Sequence, residues 1–222
     1  MRHELQNLTK QNFIDFGYSV EEIDTEIFLI KDFLTDEEAK AFLDIANSAS
    51  EDEWSVSYIE GLKSFARAKF GYDDLDELVA SGKLEITDRW RDKNLTLHDK
   101  SLLDPINERL SRVIKHIPEL LYNGIDAIQR QYEGADLVVH VDNQTDPSLV
   151  YAAIIYLNDD YTDGELIFPE RGIEVKPPAK TLAIFPTHEE YLHGTNAPGP
   201  GPVRYVLPSF IGVKGFYENN KY

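Results

Sequence analysis

The sequence predicts an α+β fold in which helices come first and a β-sandwich, jelly roll or barrel follows. Two observations carry this. Before residue 122 apolar residues recur at helical spacing; after Asn123-Gly124 short strand-like runs succeed one another between Gly- and Pro-containing turns. The chain has 222 residues, 42% of them apolar, which suits a single domain with a substantial core.

Taken in order, residues 1–25 read as a polar arm, and Glu26 to Ile30 as a short strand. Thr35-Asp36-Glu37-Glu38 has the form of a capping box, with Thr35 as N-cap and acidic side chains on the positive end of the helix dipole. The helix this opens, Asp36 to Ser48, sets Ala39, Phe42, Leu43 and Ala46 on one face to back a sheet. From Ser50 to Leu103 charges and Gly61, Gly71 and Gly82 interrupt short apolar runs, which predicts irregular structure or a mobile covering segment. A second helix is expected from Asp104 to Leu121, with Ile106, Leu110, Val113, Ile114 and Ile117 on its apolar face and Pro118 bending or ending it. Strands are then expected at Ile125–Gln131, Leu137–Val141, Val150–Leu157, Glu165–Phe168, Gly172–Val175, Thr181–Phe185 and Val203–Val213.

Composition narrows the chemistry. The formal net charge is −18, so the chain gains little from the counterion release that drives nucleic-acid binding, and an anionic lipid surface would repel it. Nucleic acid and membranes are therefore disfavoured partners. No cysteine is present, which removes disulfides, thiolate metal sites and thiol nucleophiles and leaves His and carboxylate to hold any metal. The N-terminal residues carry no apolar signal core, and no run of 18 apolar residues occurs, so a cytoplasmic location is expected.

In Leu137-Val138-Val139-His140-Val141-Asp142, strand alternation would send His140 and Asp142 to the same face. Alone this is an ordinary His-Asp pair at a sheet rim. A further histidine, His193, lies 51 residues beyond Asp142, after three more strands. Two imidazoles and one carboxylate are the facial ligand set that leaves positions open on Fe(II). His188 competes for the role, but it neighbours Glu189 and Glu190 in a polar loop, whereas Gly194 beside His193 permits close backbone approach. Arg204 opens an otherwise apolar strand, where an inward guanidinium would clamp a carboxylate-bearing ligand.

His140-Val141-Asp142-Asn143, Ile155-Tyr156-Leu157-Asn158, Gly164-Glu165-Leu166-Ile167-Phe168-Pro169 and the block His193 to Arg204, in that order, resemble the Fe(II)/2-oxoglutarate-dependent oxygenases, and within them the prolyl 4-hydroxylase-like branch. Ile30 to Glu38 looks like that branch's opening, and the likeness runs from about residue 26 to 213. The resemblance implies a double-stranded β-helix (jelly-roll) core over residues 123–222, with helical support and a covering loop over 26–122. It implies Fe(II) held by His140, Asp142 and His193, with 2-oxoglutarate as cosubstrate and ascorbate as a candidate reductant. Arg204 and Tyr156 would hold the C5 carboxylate of the cosubstrate, and Tyr132 would line its pocket. The implied reaction consumes dioxygen, releases succinate and CO2 and hydroxylates a C–H bond, with prolyl residues of a peptide or protein as the expected substrate.

Two departures bear on the substrate. Collagen-type members commonly carry Tyr three residues before the first iron-binding His, where this chain has Leu137, and Lys at the position of Arg204. The covering segment, about Ser57 to Asp99, contains Tyr58, Phe65, Phe70, Tyr72 and Trp90, which could clamp a peptide or simply pack. The rival readings are a zinc hydrolase on the same three ligands and a non-catalytic β-sandwich binding module.

Overall fold

In the computed structural model, residues 7–58, 81, 91–135, 137–144 and 146–216 are described. The elements in order are α1 (Lys10–Ile14), β1 (Ser19–Asp24), β2 (Ile27–Lys31), α2 (Asp36–Ser48), β3 (Trp54–Tyr58), β4 (Arg91–Thr96), α3 (Lys100–Ile114), β5 (Leu120–Tyr122), β6 (Ala127–Gln131), β7 (Leu137–His140), β8 (Leu149–Tyr156), β9 (Leu166–Phe168), β10 (Ile173–Val175), β11 (Leu182–Pro186), β12 (His193–Thr195) and β13 (Arg204–Val213).

β6 to β13 form the double-stranded β-helix. Four of these strands lie in the larger sheet, in the order β11-β8-β13-β6, and the other four make the smaller sheet, β10-β9-β12-β7. The larger sheet extends through β2 and β1 on one side and through β4 and β3 on the other, with β5 added to the far end of β13. All of these pairings are antiparallel.

The larger sheet has two apolar faces, which explains why β8 and β11 read as nearly continuous apolar runs. Outward, Ile155, Ile184, Leu207 and Ile211 pack with Phe42 of α2 and with Ile106, Leu110 and Val113 of α3. Inward, Ala152, Tyr156, Ala183, Phe185 and Val206 meet Leu166 and Phe168 of the smaller sheet. The functional residues sit in this inner layer.

The helices follow from the sequence as read. Thr35 Oγ1 accepts from the Glu38 amide at 3.2 Å, and the Glu38 carboxylate accepts from the Thr35 amide at 2.9 Å, closing the capping box. Glu38 also binds Arg109 at 2.5 Å and so ties α2 to α3. α3 starts earlier than expected: the Asp99 carboxylate accepts from the Ser101 amide at 2.9 Å and fixes the start at Lys100, while the helix ends at Ile114, before Pro118.

Two expectations change. The polar arm holds a helix and a strand, α1 and β1, the strand pairing with β2. The segment from Ser50 to Leu103 contributes β3 and β4, paired in register from Trp54↔Leu95 to Tyr58↔Arg91; in β4 the charges of Arg91-Asp92-Lys93 hid the strand pattern. Phe65, Phe70, Tyr72 and Trp90 of the expected covering segment lie outside the described residues. Among the described residues no helix is long and apolar enough to cross a membrane.

Candidate metal centre

β7 and β12 are neighbours in the smaller sheet, and their register sets His193 directly opposite His140, with ring centroids 4.6 Å apart. Close approach depends on Gly194: a Cβ there would stand 2.7 Å from the Leu137 carbonyl oxygen and 3.2 Å from Val139 Cα. Asp142 reaches the same point by a different route from the expected one. The strand stops at His140, and a single 3-10 turn, Asp142–Gln144, carries the carboxylate back toward the imidazoles.

His140 Nε2 is 3.2 Å from Asp142 Oδ1, and His193 Nε2 is 3.5 Å from Asp142 Oδ2. The donor atoms of the three residues all lie within 4.8 Å of one another. Bonds of about 2.0–2.2 Å to one ion would set its ligand atoms roughly 3 Å apart, so this spacing suits a shared metal. A second observation points the same way. Asp142 Oδ2 is buried and, among the described residues, has no hydrogen-bond partner, a costly state for a carboxylate oxygen unless a cation takes it.

The electrostatics suit ligation. Burial pushes the His193 imidazole down to about 4, against the opposing pull of Asp142, so the ring is neutral at neutral pH. Its Nδ1 lies 3.0 Å from the Tyr191 carbonyl, a partner that only a ring N–H can serve, which leaves the Nε2 lone pair for a metal. Burial by itself would raise the Asp142 carboxyl, but the hydrogen bond with His140 and the fields of His193 and His140 hold it below the usual carboxylate range. Phe185 and Phe168 pack on the His193 ring, with centroids at 4.6 and 5.9 Å, and keep water from its back. His188 is not part of the cluster; its ring stacks edge-on against Tyr191 at 4.8 Å.

Arg204 opens β13 on the inward face it shares with Val206, and is 3% exposed. Its guanidinium donates to the Gln131 carboxamide oxygen and lies 4.9 Å from the Tyr156 ring centroid and 5.9 Å from that of Tyr161. Among the described residues its Nε has no hydrogen-bond partner. These three neighbours, Gln131, Tyr156 and Tyr161, are neutral. An unpaired buried charge is expensive, so the arrangement suits an anionic ligand.

Tyr156, fully buried, stands beside the guanidinium. Tyr132 does not. The alternation of β6 turns it to the other side, where its ring lies 4.9 Å from the Arg130 guanidinium, and the charged groups it senses are Arg130 and Glu51. Two residues that no motif marks, Gln131 and Tyr161, also stand beside Arg204. Neither carried a motif: Gln131 was overshadowed by its neighbour Tyr132, and Tyr161 resembled a loop residue before the Asp163-Gly164 turn.

Residues 127–212 match the model of the 2OG-Fe(II) oxygenase superfamily, a stretch that contains each residue of this site. No curated protein sequence matches the chain. Among solved structures, the prolyl hydroxylase from Trichoplax adhaerens, in complex with a hypoxia inducible factor oxygen degradation domain peptide fragment, is similar with a TM-score of 0.60 at 14% identity, over 89% of this chain and 88% of that one. The viral collagen prolyl hydroxylase from Paramecium Bursaria Chlorella virus-1, in its 2OG complex, is similar with a TM-score of 0.57 at 14% identity, over 85% of this chain and 96% of that one. HygX from Streptomyces hygroscopicus, with nickel and 2-oxoglutarate bound, is similar with a TM-score of 0.51 at 12% identity, over 95% and 89%. At these identities the structures speak for the fold. The family match over residues 127–212 agrees with the resemblance to the Fe(II)/2-oxoglutarate oxygenases. The cofactors of that superfamily are Fe(II) and 2-oxoglutarate.

Proposed function

We propose that the chain is a 2-oxoglutarate-dependent dioxygenase that hydroxylates a C–H bond, with prolyl residues of a peptide or protein as substrate. The observation that carries this reading is the pairing of a His-Asp-His cluster with a buried guanidinium that, among the described residues, is set by the neutral Gln131 and Tyr156. A metal and a dicarboxylate would complete both. A zinc hydrolase on the same ligands would leave Arg204 with no charge to answer it.

His140, Asp142 and His193 would hold the metal from one side. When bound, Fe(II) and 2-oxoglutarate supply the oxidising chemistry: decarboxylation to succinate and CO2, coupled to transfer of one oxygen atom of dioxygen into the substrate C–H bond. The protein's share is placement. His193 keeps its proton on Nδ1 through the Tyr191 carbonyl, and Asp142 stays ionised and supplies negative charge. Arg204, set by Gln131 and by the face of Tyr156, would take the distal carboxylate of the cosubstrate and so fix its reach toward the metal.

The prolyl assignment rests on the order of the motifs from His140 to Arg204 and on the similarity in fold to two prolyl hydroxylases. Incubation of the Fe(II)-loaded protein with 2-oxoglutarate, dioxygen and a library of proline-containing peptides tests it. The expected outcome is succinate release coupled to a one-oxygen mass gain on proline. Coupled turnover on another residue or a small molecule, with none on proline, would overturn the substrate class and keep the chemistry.

A further inference from the structure

The connection from β11 to β12, Thr187 to Leu192, grips the segments that carry two of the three clustered side chains. At one end the Thr187 carbonyl accepts from the Asn143 amide at 3.3 Å, next to Asp142, while the Thr187 hydroxyl donates to the Leu149 carbonyl at 2.8 Å. At the other end the Tyr191 carbonyl takes the Nδ1 proton of His193 at 3.0 Å. Tyr191 is buried, and its side chain is held from outside the double-stranded β-helix. Its hydroxyl donates to the Thr25 carbonyl at 3.0 Å and lies 3.4 Å from Glu26 Oε2, both in the turn between β1 and β2. The other Glu26 oxygen accepts from the Tyr151 hydroxyl of β8 at 2.9 Å. The Arg171 guanidinium stands 4.5 Å from the Tyr191 ring centroid and donates to the Asp24 carboxylate at 2.7 Å and to the Glu190 carbonyl at 3.4 Å. Glu26 itself sits at φ +58°, a left-handed conformation that strains a residue with a side chain and persists where its surroundings fix it. Glycine would relax this turn but could not bridge two tyrosine hydroxyls.

We infer that Tyr191 is a positioning residue for the metal site and that the β1–β2 turn, through Thr25 and Glu26, is its anchor. The inference rests on the proposed use of His140, Asp142 and His193 as metal ligands. The chain of cause is short. The turn holds the Tyr191 hydroxyl, and the ring, pinned between that turn and Arg171, holds its own backbone. The Tyr191 carbonyl then keeps the His193 proton on Nδ1, which leaves the Nε2 lone pair on the side of Asp142. Thr187 steadies the Asp142 turn from the same connection, so movement at Tyr191 reaches two ligands together. A segment 166 residues earlier in the sequence, outside the strands that carry the ligands, thus helps to set their geometry.

The test is Co(II) titration of the full chain in wild type, Tyr191→Phe and Thr35→Ala. It is followed by the visible d–d absorption of the bound ion, which reports ligand geometry, with thermal unfolding of each metal-free protein alongside. Phenylalanine keeps the ring over Arg171 and against His188 and removes only the hydroxyl. Thr35→Ala is the control, because it lowers stability at the cap of α2, away from the site. The expected result in Tyr191→Phe is Co(II) binding weakened about ten- to hundredfold, the range for losing the support behind a metal-bound histidine, with displaced d–d bands. Thr35→Ala should keep wild-type affinity and bands. Unchanged affinity or unchanged bands in Tyr191→Phe would overturn the inference, as would equal weakening in Thr35→Ala, which marks a general loss of stability. If Tyr191→Phe does not fold, Glu26→Gln decides: weaker binding with displaced bands supports the anchor, and wild-type behaviour overturns it. Wild-type protein that binds no Co(II) would instead overturn the metal reading itself.

Discussion

The Asp142 carboxylate is held by two imidazoles, 3.2 and 3.5 Å away, with one oxygen otherwise unsatisfied. Asp142→Ala should therefore abolish measurable Fe(II) or Mn(II) binding in equilibrium dialysis while the protein still unfolds cooperatively; retained affinity would contradict a shared metal. His193 makes a second, independent prediction about the metal-free protein. Its imidazole titrates near 6.5 when unfolded and at about 4 when folded. As pH falls through 6.5 the unfolded chain takes up the proton first, so stability present above 6.5 is lost toward pH 4, by about 3 kcal/mol. Urea unfolding at pH 7 and pH 4.5 should display that loss in wild type and much less of it in His193→Leu. The cluster was legible in the sequence because its chemistry is a pattern of residue types: an H-x-D step and a distant His beside Gly194. The surroundings of Arg204 were not. Gln131 and Tyr161 belong there through the strand pairing Arg204↔Gln131 and through a loop packed on the ring of Tyr161, and neither relation leaves a local mark.

At the scale of elements, the site depends on β12 lying flush against β7. Gly194→Ala would put a methyl 2.7 Å from the Leu137 carbonyl oxygen, which is backbone and cannot swing away. The strands must part, so the variant should lose about 1–3 kcal/mol of stability and bind metal more weakly, both measurable in one metal-dependent unfolding series. The capping box of α2 is remote from the chemistry and should behave differently: Thr35→Ala should cost about 1 kcal/mol and leave metal affinity unchanged. Helix faces were readable because burial follows the 3.6-residue period; Phe42, Ile106, Leu110 and Val113 are all buried as their spacing implied. β4 was unreadable for the converse reason. Arg91-Asp92-Lys93-Asn94 offers no apolar alternation, and the strand exists because Leu95 packs in the outer core and the backbone pairs with β6 and β3. Asp142 shows a subtler limit: strand alternation would bring it beside His140, but a 3-10 turn does so in fact.

In the whole molecule the helices cover one face of the larger sheet so that the other can be given to a buried polar site. α2 and α3 and the outer core supply the apolar burial, while the inner layer holds His193, Asp142 and Arg204, groups that are costly to bury without ligands. Metal and cosubstrate should accordingly stabilise the fold, each raising the unfolding temperature with its own concentration dependence. The most direct test of the account is an anaerobic titration of the Fe(II)-loaded protein with 2-oxoglutarate, followed by the visible charge-transfer band of the chelate. The account predicts a saturable band in wild type, and in Arg204→Ala a band that needs at least about 30-fold more 2-oxoglutarate, the scale of losing a buried charge partner. Iron-loaded wild-type protein that forms no band at any 2-oxoglutarate concentration would contradict it.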